Sequence, residues 1–158
     1  MTPVRSIAAA CNCASLRAAA RHVSQLYDHH LAVAGLRNSQ FTILAHLQRA
    51  GPLSVNALAQ SLGVDRTTLA RNLQPLLRRR LVSAGRSATD ARSKQLHLTA
   101  AGLRRFEAGA SAWSSAQSQF EARLGAHQAA ALRDLLGSVV GIDFELPPSP
   151  LSKGDQHD

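Results

Sequence analysis

The sequence predicts a mainly α-helical fold with one small β-hairpin, and three observations carry that expectation. Apolar residues recur at three- and four-residue spacing over most of the chain. Alternation at period two is confined to two short runs, 81–86 and 95–98, with a polar stretch between them. Apolar residues make up 45% of the chain but aromatics only 4%, so the core must come from Leu, Ala and Val, which suits helices better than sheets.

In chain order, Cys13, Leu16, Ala20, Val23, Tyr27, His30 and Ala34 set the seam of a long first helix that Gly35 ends. Leu36, Phe41, Leu44, Ala45 and Leu47 follow as a second amphipathic helix, capped near Asn38 or Ser39 and closed by Gly51-Pro52. Ser54 is an N-cap residue type, and Leu58, Ala59 and Leu62 face inward behind it. Gly63 supplies a sharp turn, Val64 plugs the angle, and Asp65 caps a further helix with Leu69, Leu73, Leu76 and Leu77 on its inner face. Pro75 lies inside that helix, where a missing N–H should bend it after its first turns.

The two alternating runs then read as a hairpin. Thr99 caps a long helix whose Leu103, Phe106, Ala110, Trp113, Gln117, Phe120 and Leu124 again step by three and four. Gly125 interrupts it. Ala131, Leu132, Leu135, Leu136, Val139 and Val140 make a last short helix, and the Pro/Ser-rich tail from Pro147 is expected to be disordered.

Cap, helix, Gly turn, cap and second helix form a helix-turn-helix, in which the second helix offers its first turns to the DNA major groove. Arg66, Thr67, Thr68, Arg71 and Asn72 are left outside on those turns, each able to donate to phosphate or read a base edge. Ser54, at the start of the first helix of the pair, is expected to be a further DNA contact. The net charge of +8 is concentrated in the same segment. Arg66, Arg71, Arg78, Arg79, Arg80, Arg86, Arg92, Lys94, Arg104 and Arg105 stand there against only Asp65 and Asp90, as phosphate neutralisation requires.

An enzyme finds little support. The seven histidines are scattered, and no Gly-rich phosphate loop, paired carboxylates or nucleophile turn occurs. No apolar run reaches the ~18 residues that span a bilayer, and the start of the chain lacks a secretory core, so a cytoplasmic protein with no membrane partner is expected. Charge alone leaves open a nonspecific architectural DNA-binding protein.

The string Asp90-Ala-Arg92-Ser-Lys-Gln-Leu96-His-Leu98-Thr99 resembles the wing signature of the multiple-antibiotic-resistance regulator (MarR) family of winged helix-turn-helix repressors. Gln40-Phe41-Thr-Ile-Leu44, Leu58-Ala59, Leu62-Gly63-Val64, Thr67-Thr68-Leu69 and Arg79-Arg80-Leu81-Val82 support it, over residues 14–140. The resemblance implies a mainly α fold with a small β-wing. A winged helix-turn-helix DNA-binding lobe (36–99) would join a helical dimerisation lobe built from the N- and C-terminal helices (1–35 and 100–142), with a tail at 143–158. It also implies a homodimer on a double-stranded, near-palindromic operator, released by a small-molecule effector bound between the lobes, with no required cofactor. In the wing, Asp90 would hold Arg92 for the minor groove, with Arg86 and Lys94 on phosphates.

Two sensing sites suggest themselves. Arg17 and Arg21, four apart on the first helix, could clamp an aromatic carboxylate, with His22, His46 and Arg49 in the pocket wall. Alternatively, Cys11 and Cys13, the only cysteines, could sense oxidants, a soft metal or an arsenical at a helix start. Against this, Cys13 falls on the apolar seam, and a buried Cys often serves as a small hydrophobe.

Overall fold

The computed structural model describes residues 10–86 and 94–145. Its helices are α1 (Asn12–Leu31), α2 (Asn38–Ala50), α3 (Val55–Leu62), α4 (Arg66–Arg78), α5 (Ala100–Leu124) and α6 (Ala126–Val140), with a 3₁₀ turn at Ala32–Ala34. The strands are β1 (Leu53–Ser54), β2 (Val82–Arg86) and β3 (Lys94–Leu98). They form an antiparallel sheet of order β1-β3-β2, so the expected two-stranded hairpin gains a third strand. Leu53 pairs with Leu96, and Val82 with Leu98, which turns Leu96 and Val82 into the core.

Most helix ends are made by local chemistry. Ser54 Oγ accepts from Ala57 N at 3.1 Å, and Gly63, at φ 63°, closes α3 in the left-handed region. Thr99 Oγ1 accepts from Gly102 N at 2.9 Å and donates to the Arg80 carbonyl at 2.8 Å, tying α5 to the strap before the wing. α4 runs through Pro75 to Arg78 without a break.

The start of α2 differs from expectation. Its N-cap is Arg37, whose side chain has no acceptor to offer. Asp28 of α1 supplies one instead, its Oδ1 accepting from Asn38 N at 2.6 Å, while Gln40 Oε1 accepts from Arg37 N at 3.1 Å. A carboxylate there also suits the positive end of the helix dipole.

The core is built from Leu31, Ile43, Leu44, Leu47, Leu58, Leu69, Leu76 and Val82, all under 2% exposed except Leu47 at 2%. Each such side chain contributes roughly 1.5–3 kcal/mol by leaving water. The inner stripe of α5 is offset from the one its large residues suggest. Gly102, Gly109, Ala112 and Ala116 are buried, whereas Ala110 and Trp113 are exposed. A Cβ on Gly102 would lie 2.0 Å from the Leu81 carbonyl oxygen, and one on Gly109 3.1 Å from the Phe41 ring. Backbone at Gly102 and a packed ring at Gly109 therefore select glycine at these two positions.

The chain separates into two compact units, 1–119 and 120–158. In the first, Tyr27 OH donates to Gln117 Oε1, and His30 Nε2 lies 2.7 Å from Gln119 Oε1, so two polar contacts join α1 to α5. In the second, Glu121 pairs with Arg133 at 3.2 Å. The apolar residues of the last helix are exposed, Leu132, Leu135, Leu136, Val139 and Val140 among them, and only Ala129 is buried. The first helix behaves similarly at its start. Cys13, Leu16 and Ala20 are exposed, and burial of the seam begins with Val23 and Tyr27.

Candidate nucleic-acid interface

The second helix of the motif is anchored on one face and open on the other. Leu69, Leu73 and Leu76 are buried, and Val64 packs against the same core with its N–H donating to the Ala59 carbonyl at 3.1 Å. Asp65 accepts from Thr68 N at 2.8 Å and from Thr68 Oγ1 at 2.7 Å. These hydrogen bonds hold the Asp65 carboxyl below the usual carboxylate range. The first turn of α4 is thus fixed with its charge retained.

Among the residues expected to meet DNA, Arg66, Thr67 and Arg71 are exposed. Thr68 is half-buried and its hydroxyl proton is given to Asp65. Asn72 departs from the expected arrangement: it is half-buried, and its Oδ1 accepts from Ser39 Oγ of α2 at 3.2 Å. Gln74 was missed. It is exposed, three residues on from Arg71 and two turns on from Thr67, a spacing that could have found it. Ser54 is half-buried, its oxygen committed to capping and its hydroxyl proton still available to an anion.

In the wing, Arg86 and Lys94 are exposed and directly opposite in the β2–β3 register, so the hairpin carries a pair of cations at the end of its described strands. Asp90 and Arg92 lie outside the described residues.

A cavity of about 500 Å³ opens between α2 and α5, lined by Phe41, Thr42, His46, Phe106, Trp113 and Ser114, with Ala45 and Ala110. Phe41 stacks on Phe106 at 5.1 Å between centroids and on Trp113 at 6.4 Å. Three of only six aromatic residues in the chain meet at this one place. Burial, then the charge of Arg49, pushes the His46 pKa below its ordinary value, and Ser61 Oγ lies 3.3 Å from its Nδ1.

Of the expected effector residues, only His46 lines this cavity. Arg49 is exposed on the same helix, while Arg17, Arg21 and His22 are exposed on the first half of α1 and are not brought to it. Sequence spacing links Arg17 to Arg21 but carries no information about which α1 face meets α2. Cys11 is the N-cap of α1, its Sγ accepting from Ala14 N at 3.5 Å, and both cysteines are free thiols. Cys13 is exposed, so the buried-seam reading of it does not hold in the single chain. No group of three or more metal-ligating side chains occurs among the described residues.

A helix-turn-helix with an open basic face, followed at once by a cation-bearing β-wing, defines a winged helix-turn-helix protein. The MarR family model matches residues 34–93. The crystal structure of the M. tuberculosis transcriptional regulator MosR is 31% identical, with 84% of this chain and 98% of that one covered and a TM-score of 0.71. The same regulator in complex with DNA is 33% identical, covering 84% and 99% at a TM-score of 0.67. The PcaV transcriptional regulator of Streptomyces coelicolor, in complex with its natural ligand, is 25% identical, covering 84% and 94% at a TM-score of 0.73. No curated protein sequence matches the chain significantly. The chain belongs to the MarR family, whose members among these neighbours are transcriptional regulators. Among the described residues no helix is long and apolar enough to cross a membrane.

Proposed function

We propose that the chain is a cytoplasmic, homodimeric transcriptional repressor that binds a near-palindromic operator and leaves it when a small aromatic acid binds. The observation that carries DNA reading is the open face of α4. Arg66, Thr67, Arg71 and Gln74 stand free on a helix whose opposite face is locked into the core. Arg66, Thr67 and Arg71 would read base edges, with Arg86 and Lys94 on flanking phosphates and Arg92, steadied by Asp90, in the minor groove. The DNA complex of the 33% identical MosR supports this reading.

Dimerisation is supported by the exposed row Leu132, Leu135, Leu136, Val139 and Val140 on α6, an apolar stripe at helical spacing that a second copy would cover. In that arrangement residues 1–35 and 100–142 form the shared base, and residues 36–99 the DNA-binding lobe. Two α4 helices would then meet half-sites about 10 bp apart.

The aromatic cavity is the effector site in this reading. Its stacked rings suit a planar ligand, and His46, favoured in its neutral form, can hydrogen-bond a carboxylate. α2 forms one wall and holds α4 through Ser39 and Asn72, so occupancy has a direct lever on the reading helix. PcaV, bound to its natural ligand, supports effector control.

Footprinting on fragments selected from random DNA tests the main claim. A protected inverted repeat is expected, and protection without sequence preference would instead indicate an architectural protein. Because Trp113 is the only tryptophan and lines the cavity, its fluorescence reports ligand directly. Saturable quenching by an aromatic carboxylate, with release of DNA, is the expected result.

A second reading is favoured by the free Cys11 and Cys13 at the start of α1. A peroxide would take two electrons and two protons from the thiols, leaving a disulfide and two waters. Alternatively, both sulfurs would bind an arsenical. Either event would withdraw the Sγ that caps Ala14. DNA affinity that is unchanged by peroxide and arsenite in the native protein would dispose of it.

A further inference from the structure

The geometry points to a second anion site, built for a phosphate group, in the cleft of Arg79, Arg104 and Arg105. The cleft has a volume of about 330 Å³, its apolar walls being Leu81, Ala101 and Ala108. It is separate from the aromatic cavity, with which it shares no lining residue. It lies at the opposite end of α4 from the exposed first turns, since Arg79 is that helix's C-cap.

Two of the guanidinium groups are fixed by the same turn. Arg79 Nη1 donates to the Gly35 carbonyl at 2.7 Å, and Arg105 Nη1 donates to the Ala34 carbonyl at 3.1 Å. Each keeps further N–H groups unspent, because a guanidinium carries five. Gly35 turns at φ 62°, a backbone conformation that favours glycine, and the turn presents its own carbonyl and that of Ala34 to the two guanidiniums. Arg104 adds a third cation to the lining with no hydrogen bond to protein among the described residues.

Three like charges around one cleft repel one another, and carbonyl dipoles offset this only in part. Among the described residues no ion pair joins Arg79, Arg104 or Arg105 to a carboxylate, and Glu107, one turn beyond Arg104, does not line the cleft. Pre-oriented guanidinium forks with apolar walls match a phosphate, whose oxygens take paired N–H donors. The volume, several times the ~30 Å³ of a water, leaves room for an ester substituent. The phosphate could belong to a small phosphomonoester or to the DNA backbone.

The test follows the Arg Nε–Hε resonances of the full chain during titration with inorganic phosphate at constant ionic strength. Saturable shifts confined to Arg79, Arg104 and Arg105 are expected, with at least a fivefold weaker apparent affinity in Arg104→Gln, which leaves both carbonyl bonds intact. Repeating the titration with protein bound to an operator duplex separates the sources. Retained phosphate binding assigns the site to a small ligand, and its loss on duplex addition assigns it to a backbone phosphate. Absence of saturable shifts, or the same affinity in Arg104→Gln, would overturn the proposal. Arg104→Lys should recover part of the affinity, which a role confined to holding the turn would not produce.

Discussion

Ser39 Oγ donates to Asn72 Oδ1 across 3.2 Å, joining the first turn of α2 to the middle of α4. The bond is half-buried and occupies one of the two lone pairs of Oδ1, which fixes how the Asn72 amide is turned. We propose that Asn72 acts as a positioning residue for α4. Ser39→Ala and Asn72→Ala should each lower stability by roughly 0.5–1.5 kcal/mol. The double variant should cost little more than either single one, since both remove the same bond. Urea unfolding measures the cycle. DNA affinity should fall by the same factor on all sequences; relaxed preference at a single base pair in Asn72→Ala would restore it to base reading.

Arg71 and Arg86 should separate by the kind of loss they produce. Arg71 stands free on the open face of α4, whereas Arg86 ends β2 opposite Lys94. Arg71→Ala should cost about 1–3 kcal/mol on the preferred operator and relax specificity at one position. Arg86→Ala should weaken all duplexes alike and reduce the salt slope of binding by about 1. Fluorescence anisotropy against a set of single-base operator variants, at several salt concentrations, distinguishes them. Exchange of the two signatures would mean that the wing reads bases and α4 only docks.

Gly102 and Gly109 test the close packing of α5. Adding a methyl at Gly102 drives it to 2.0 Å from the Leu81 carbonyl, and backbone cannot yield as a side chain can. At Gly109 the obstacle is the Phe41 ring at 3.1 Å, which needs to give by only a few tenths of an ångström. Gly102→Ala should thus destabilise by at least the ~1–3 kcal/mol of an overpacked core, and Gly109→Ala by clearly less. Thermal melts of the two variants rank them. Equal or reversed losses would contradict the packing described for this helix.

The elements legible in the sequence are those whose cause is local. Ser54, Asp65 and Thr99 each accept a backbone N–H three residues ahead, and Gly63 turns the chain where its φ requires. Leu58, Leu69, Leu73 and Leu76 are buried as their spacing indicates. What escaped depends on distant partners. Asp28 caps a helix ten residues later, Ser39 claims Asn72 from 33 residues away, and β1 joins β3 across more than forty. The inner face of α5 was misjudged for a related reason. Large apolar residues mark a core face only when there is room, and here the Leu81 carbonyl at Gly102 and the Phe41 ring at Gly109 leave little. Likewise, the arginines at 17 and 21 share an α1 face that the single chain leaves in solvent, while α2 carries His46 into the wall of the cavity with Phe41.

His46 should make the protein sensitive to mild acid. Burial comes first and the Arg49 charge second in holding its pKa below the ordinary value near 6.5, so the unfolded chain binds the proton more readily than the native one. Where the unfolded state carries more protons, stability rises with pH. The native contribution is therefore complete above about pH 6.5 and is lost progressively as the pH falls from there through the lower native value. A carboxylate bound in the cavity would reverse part of this by favouring the imidazolium, so ligand affinity should rise as the pH is lowered toward 6. Urea midpoints between pH 5 and 8 for the native chain and His46→Gln measure the first effect, and Trp113 quenching over the same range measures the second. The Gln variant should flatten both profiles. A native stability profile that is level across this range, or one unchanged by His46→Gln, would show that the imidazole is not the titrating group.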